Sequence, residues 1–352
     1  MLKAGVVGVG HLGRHHARIL AGLPGVKLDS VADRDPGRRF KTAVRLGARS
    51  FDDFQPMIER VDLVSIVVPT TAHARVAIPF LEAGVHVLVE KPLAATEEDA
   101  RAICEAAERS GAVLQVGHIE RFNPAIEAAQ RVVDDPRYII SDRIAPFTFR
   151  SGDIGVVLDL MVHDLDIVLE FVPSEVKTCE AIGLPVLSST EDLADARMTF
   201  ENGALADLRT SRVSLAPAVR KTRLFQSDAY VSIDYHHSKV HVYRKKGQDF
   251  DAGSIDPHDV KDALALVLER YLEVEQHEMV STSDALTREL SSFVAACRGE
   301  HPPVVPGVHG LRAVRAARMI QSRIHAWLIQ EARRKGLPIP DFLRDHPDAE
   351  TS

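Results

Sequence analysis

The sequence predicts two folds in one chain. An N-terminal α/β unit with a doubly wound parallel sheet precedes an α+β domain built on a large, mostly antiparallel open sheet. Three observations predict this. Residues 1–120 alternate apolar strand runs with helical runs, and strands apolar on both faces belong to parallel sheets covered by helices. Gly8, Gly10 and Gly13 stand at the first strand-to-helix turn. Beyond about residue 120 the apolar period changes to two. A length of 352 residues suits two domains, each able to bury its own core.

In order, strands are predicted at 2–9, 27–33, 62–68, 85–90 and 112–117, with helices at 13–22, 36–46, 72–83 and 96–110. The last of these helices has a defined start. Thr96 is its N-cap, and Glu97, Glu98 and Asp99 fill the first turn, where negative charge favours the helix dipole. Residues 159–166 are placed in the first helix of the second domain, within the most apolar long segment, 154–172. Ala194, Ala196, Met198 and Phe200 alternate with Asp195, Arg197, Thr199 and Glu201, and Asn202-Gly203 is a hairpin turn into a strand at 204–213. Val231, Ile233 and Tyr235 alternate with Ser232, Asp234 and His236. Further strand runs fall near 139–145, 176–184, 219–227 and 239–244. A polar loop at 245–262 and helices at 284–299 and 307–330 complete the reading. The expected domains are therefore 1–120 and 121–330, with a polar, loosely held tail at 331–352.

The glycine spacing carries specific chemistry. Gly8 permits the tight turn, Gly10 lets the backbone approach a pyrophosphate, and Gly13 lets helix and strand pack closely. Asp33 ends the second strand, twenty positions after Gly13. A carboxylate there accepts hydrogen bonds from a ribose diol and repels a 2′-phosphate, which favours NAD over NADP. Arg34, Arg38 and Arg39 follow closely and leave NADP as the lesser alternative.

Composition narrows the class. A formal net charge of −7 offers no overall basic field for nucleic acid. No run approaches the ~20 apolar residues of a membrane helix. Cys104, Cys179 and Cys297 are scattered without a C-x-x-C pair, and no leader pattern precedes the first strand, so a cytoplasmic protein is expected. His11 and His15 are four apart but lack the glutamate of a zincin helix, and no Cys/His cluster calls for a metal. His236, His237 and His241 read as surface residues.

Three more motifs share the chain with the glycine loop. Val89-Glu90-Lys91-Pro92 ends a strand. Gly117-His118-Ile119-Glu120-Arg121-Phe122-Asn123-Pro124 leaves the last parallel strand. Asp159 and His163 stand in an Asp-x-x-x-His pattern on the helix that follows. Over roughly residues 1–330 the chain resembles the Gfo/Idh/MocA oxidoreductases, whose N-terminal part is a Rossmann domain. The stretches GHIERFNPAI, DIGVVLDLMVHDLDI, EDLADARMTF and RKTRLFQSDAYVSIDY look like the subgroup containing UDP-N-acetylglucosamine 3-dehydrogenase. That resemblance implies oxidation of a sugar's secondary hydroxyl, in this subgroup the 3-hydroxyl of the nucleotide sugar, towards the amino sugars of lipid A. A free cyclitol or aldose such as inositol is the alternative substrate. A non-catalytic NAD-sensing protein is the alternative class, and it would not need Lys91 and His163 together.

Oxidising an alcohol requires a base near working pH, and histidine is the side chain closest to that range. Asp159 and His163, four apart, share one face of a helix, so the acid can orient the imidazole. Taken alone they read as an ordinary polar helix face; with Lys91 in the same chain they match the family's catalytic aspartate, histidine and lysine. The resemblance makes His163 the general base, Lys91 the group that binds the hydroxyl and relays its proton, and Asp159 a substrate or orienting contact. It adds His11, Leu12, Pro69, Thr70, His73 and Glu90 to Gly8, Gly10, Gly13, Asp33, Arg34 and Lys91 as cofactor contacts. Arg121 and Asn123 join Asp159 and His163 as substrate contacts. Arg212, Arg220 and Lys221 read either as diphosphate contacts or, more simply, as solvated strand charges. The family's pairing through its open sheet implies a homodimer or homotetramer.

Overall fold

A computed structural model of the chain describes residues 1–147, 154–214, 217–247, 263–278, 283–339 and 341–343. The parallel sheet consists of β1 (Leu2–Val7), β2 (Val26–Ala32), β3 (Arg49–Phe51), β4 (Leu63–Ile66), β5 (His86–Glu90) and β6 (Leu114–Gly117). Its order is β3-β2-β1-β4-β5-β6, with every pair parallel. The order reverses beside β1, the switch point where such sheets bind ligands. The intervening helices are α1 (Gly13–Gly22), α2 (Pro36–Leu46), α3 (His73–Glu82) and α4 (Glu97–Ser110). Thr96 caps α4 as expected, its hydroxyl accepting from the Asp99 amide at 3.1 Å. The short edge strand β3 was not anticipated, because three residues carry too little alternation to read.

Strand alternation sends side chains to two buried layers. Ala4, Val6, Leu28, Leu63 and Leu88 pack on one face with Ala17 and Leu20 of α1. Val64, Ile66, Val87, Val89 and Val116 pack on the other with Phe80 of α3 and Ile103 of α4.

The first compact unit is not one continuous stretch of chain. It comprises Met1–Phe122 and Thr282–Met319; the second comprises Asn123–Ser281 and Ile320–Ser352. This differs from a single boundary near residue 120. The reason lies in α8 (Ala285–Cys297), whose Leu290, Phe293 and Val294 cover the β1 side of the parallel sheet. The helix α9 (Gly307–Lys335) begins in the same unit, where Val314 joins the opposite layer, and runs past residue 330. Gly307 and Gly310 let it lie close: a Cβ at Gly310 would sit 2.7 Å from Val116.

In the second unit α5 (Pro124–Gln130) and α6 (Val162–Phe171) accompany an eight-stranded sheet. Its strands are β7 (Tyr138–Ile144), β8 (Val176–Leu184), β9 (Leu193–Phe200), β10 (Leu205–Ser211), β11 (Val219–Phe225), β12 (Ala229–Asp234), β13 (Lys239–Lys245) and β14 (Leu272–Glu278). The order is β14-β13-β12-β11-β7-β10-β9-β8, antiparallel except for the β7–β10 pair. The alternation read from the sequence is realised: Ala194, Ala196, Met198 and Phe200 are buried. The other face carries ion pairs, including Arg197 with Asp207 at 2.7 Å and Arg223 with Asp142 at 2.7 Å. Beside them runs a cross-strand row of rings, Tyr138, Phe225, Tyr230 and Tyr243, with centroids 4.9–5.7 Å apart. α7 (Ala263–Tyr271) and β14 were not anticipated, and most of the loop expected at 245–262 lies outside the described residues.

Candidate active site

The glycine loop fits a dinucleotide on geometric grounds. Gly8 has φ +86°, a left-handed conformation that glycine adopts without strain. A Cβ on Gly13 would lie 1.8 Å from the Gly8 carbonyl oxygen, so only glycine allows α1 to cross β1 this closely. A Cβ on Gly10 would have no neighbour nearer than 3.9 Å, so nothing in the protein itself requires glycine there. The empty space in front of Gly10 is the cradle that a pyrophosphate needs.

Asp33 closes that loop from the end of β2. Its Oδ2 accepts from the Val9 amide at 2.8 Å and its Oδ1 from the Asp35 amide at 2.9 Å. Each carboxylate oxygen keeps a second lone pair, which a ribose diol can use. A cavity of about 520 Å³ brings together Gly8, Gly10, Asp33, Arg34, Arg38 and Pro69. Thr71, rather than the expected Thr70, lines it, because Thr70 opens a short 3-10 turn whose next residue faces the cavity. His11 and Leu12 are exposed on the loop, with His11 Nδ1 3.3 Å from Arg14.

His73 is placed differently from the expectation of a cofactor contact. It is buried, with Nε2 3.0 Å from the Val68 carbonyl and Nδ1 3.0 Å from that of Pro92. Burial lowers its pKa against those carbonyls, which keeps the ring neutral. It ties the turn after β4 to the turn after β5.

Lys91 follows β5, and a charge network lies behind it. The Lys91 amide donates to Glu90 Oε2 at 3.2 Å, and Glu90 Oε1 is 3.2 Å from His16 Nε2 on α1. His16 Nδ1 is in turn 2.8 Å from the Ser65 hydroxyl. Burial opposes the charge on Glu90, but His16 and Lys91 outweigh it and hold the carboxyl below its ordinary pKa. Sequence reasoning missed Glu289 of α8. It is fully buried with no hydrogen-bond partner for either oxygen among the described residues. Burial, reinforced by the charge of Glu90, pushes it well above the ordinary carboxylate range, so it is a neutral acid. Only the fold brings it to Glu90, almost 200 residues away in sequence.

Arg121 is buried, with Nη2 3.1 Å from His309 Nδ1 on α9. Asn123 caps α5 through the Ala125 amide at 3.0 Å and donates to the Tyr235 carbonyl at 3.4 Å. Both make these bonds to the protein itself. In the second unit, Asp159 lies in a π-helical turn, Val157–Met161, that leads directly into α6, and His163 is the second residue of α6. Both are half-buried. π turns are rare and frequent at functional sites. The next residue, Asp164, is clamped by Arg143 (Nε to Oδ2 2.7 Å) and by the Ser141 hydroxyl (3.1 Å), which fixes α6 on the sheet. Arg212 is neither solvated nor free for a diphosphate: it is buried against Asp192 at 2.7 Å. Lys221 pairs with Asp234 at 3.4 Å, and Arg220 is exposed.

Among the described residues no cluster of His, Cys, Asp and Glu could hold a metal ion, and no helix is long and apolar enough to cross a membrane.

Comparison with known proteins agrees with this geometry. Residues 2–118 match the family model described as an oxidoreductase family with an NAD-binding Rossmann fold, and residues 133–232 match the GFO/IDH/MocA C-terminal domain. The chain is 36% identical to UDP-N-acetylglucosamine 3-dehydrogenase of Acidithiobacillus ferrooxidans, over 93% of this chain and 98% of that one. A solved structure of that enzyme superposes with a TM-score of 0.81, covering 92% of this chain and 97% of the other at 35% identity. Identity to the NAD(+)-dependent scyllo-inositol 2-dehydrogenase of Bacillus subtilis is 30%, over 71% of this chain and 79% of that one. Levoglucosan dehydrogenase in complex with NADH shares the fold, with a TM-score of 0.77 at 17% identity over 92% of this chain and 96% of that one.

Proposed function

The chain belongs to the Gfo/Idh/MocA oxidoreductases and carries their NAD-binding domain, and from that premise we propose that it oxidises the 3-hydroxyl of UDP-N-acetylglucosamine to a ketone. The observation that carries the substrate assignment is the likeness to the Acidithiobacillus enzyme along nearly the whole of both chains. The likeness to an inositol dehydrogenase is weaker and covers less of this chain.

NAD, held by the glycine loop and Asp33, supplies the hydride acceptor. The chain's own residues do the proton chemistry. His163 takes the hydroxyl proton, as a base tuned near working pH does most effectively. Lys91 holds the hydroxyl oxygen and relays its proton. Asp159 contacts substrate or orients the ring. The support for these roles is the fixed setting of each residue: Lys91 on the His16–Glu90 network, and His163 beside the Asp164–Arg143 clamp.

The protein works in the cytoplasm as a homodimer or homotetramer joined through the open sheet of its second unit. The row of rings and balanced ion pairs on that face supports pairing with a second copy. Light scattering that returned the 38.7 kDa of one chain would exclude it. The substrate test is the appearance of NADH with UDP-N-acetylglucosamine, free N-acetylglucosamine and inositol side by side. Turnover with the nucleotide sugar alone is expected; turnover with inositol alone would overturn the assignment, and none with any would favour a sensing role.

A further inference from the structure

Glu191 has no part in the proton chemistry above, yet it is 2% exposed and packs against the start of the helix that carries Asp159 and His163. Its main-chain carbonyl accepts from the Val156 amide at 2.9 Å. Its carboxyl faces the Val157 amide and the side chain of Gln321. Gly155 makes room for it: a Cβ there would lie 1.9 Å from Glu191 Oε1 and 2.1 Å from its Cδ.

The next residue extends the same support. Asp192 is fully buried, accepts from the amides of Val186 and Ser188 at 2.8 Å each, and pairs with Arg212. Arg212 Nη1 donates to the Ile154 carbonyl at 2.8 Å. Residues 154 to 157 are thus gripped from outside their own helix. A helix start leaves amides without intrahelical partners, and a carboxyl oxygen set against them can accept from one, even though burial pushes the Glu191 pKa up. Here the first turn is π-helical: the Val162 amide donates back to the Val157 carbonyl, five residues earlier, and the Asp159 amide donates to the Gly155 carbonyl at 3.1 Å. An uncommon turn of this kind needs its surroundings to hold it.

We propose that Glu191 is a positioning residue: its carboxyl, seated on Gly155, fixes the first turn of the helix and so sets where Asp159 and His163 are presented. The inference rests on the reading that those two residues act on substrate. It assigns Gly155 a steric role in the same device.

The test uses the full-length protein and five variants, Glu191→Ala, Glu191→Gln, Gly155→Ala, the Gly155→Ala/Glu191→Ala double variant, and His163→Ala as reference. For each, kcat, KM, the NAD dissociation constant and Tm are measured. Misplacing a catalytic group by about 1 Å can cost roughly a hundredfold in rate. Glu191→Ala should therefore lower kcat by roughly ten- to a hundredfold while leaving NAD affinity unchanged. Glu191→Gln, which keeps the size and an acceptor oxygen, should restore most of kcat. Gly155→Ala should be slow, and removing Glu191 as well should relieve it, because the added methyl then has space. A Gly155→Ala loss that the second substitution deepens overturns the proposal. So does a set of variants whose Tm falls while kcat of the folded protein holds. If His163→Ala loses activity and Glu191→Ala does not, the positioning role fails and the catalytic reading stands. If His163→Ala keeps its activity, the catalytic reading itself fails, and the positioning role with it. Should Glu191→Ala not fold, Glu191→Asp withdraws the carboxyl by one methylene and carries the same expectation.

Discussion

Two methyl groups three residues apart should have different consequences. At Gly13 the added Cβ would lie 1.8 Å from the Gly8 carbonyl oxygen and 2.9 Å from its carbon. Ordinary contact is ~3.5 Å or more, so β1 and α1 must separate by well over ~1 Å. Overpacking of that kind costs about 1–3 kcal/mol of stability. At Gly10 the added Cβ would have no neighbour nearer than Arg38 Nη1 at 3.9 Å. The folded protein should not register it, but a pyrophosphate approaching that backbone would. Losing one hydrogen bond to a charged group costs about 1.5–3 kcal/mol, and ~1.4 kcal/mol is tenfold in affinity. Gly10→Ala should therefore raise the NAD dissociation constant roughly 10- to 100-fold with Tm unchanged. Gly13→Ala should weaken NAD at least as much and also lower Tm by several degrees. Titration calorimetry with NAD and thermal melts without it measure both quantities. A Gly10→Ala protein that binds NAD like its parent would refute the placement of the pyrophosphate at Gly10.

Other expectations are as direct. Asp33→Ala should weaken NAD and narrow its advantage over NADP, because the repulsion of a 2′-phosphate is removed; a parent protein that binds NADP ten times more tightly than NAD, about 1.4 kcal/mol, would contradict the role of Asp33. His163→Ala, Lys91→Ala and the double variant should each lose roughly 10²- to 10⁴-fold in kcat, with the double little worse than either single and NAD affinity unchanged; steady-state kinetics beside calorimetry check this, and additive losses would mean that the two do not act on one proton. Glu289, held neutral in the fold, ionises at its ordinary pKa when unfolded, so the unfolded state binds fewer protons above about pH 4.5. Stability should then fall as pH rises from there towards the raised pKa, by up to about 1.4 kcal/mol per pH unit. Glu289→Gln should gain Tm relative to the parent at pH 8 and little at pH 5, and melts at both values that showed an equal difference would exclude a buried neutral acid.

Local physics made much of this protein legible from its residues. The glycine spacing and Asp33 were readable because a tight turn, a close backbone approach and a carboxylate at a strand end each demand one residue type at one position. Thr96 announced α4, and Asn202-Gly203 announced the β9–β10 hairpin, for the same reason. The period of two along Ala194–Phe200 told which side chains would be buried before any partner strand was known.

What the sequence could not decide are contacts between distant segments. Nothing local marks α8 as the cover of the first sheet, and so the division of the chain into units needed the tertiary structure. Arg212 and His73 have the residue types of ligand contacts, but folding surrounds them with Asp192 and with backbone carbonyls and gives them to the framework. Glu289 carries no motif, and Glu191, though it opens the EDLADARMTF stretch, announces no role there, because a charge-bearing side chain normally stays in water and only a packed interior makes it neutral or ties it to a backbone. Sequence determined the chemistry available at each turn, since turn, cap and alternation act over a few residues. Tertiary structure decided which of those groups are desolvated and what they meet, because burial and pairing depend on chain segments that are far apart in sequence.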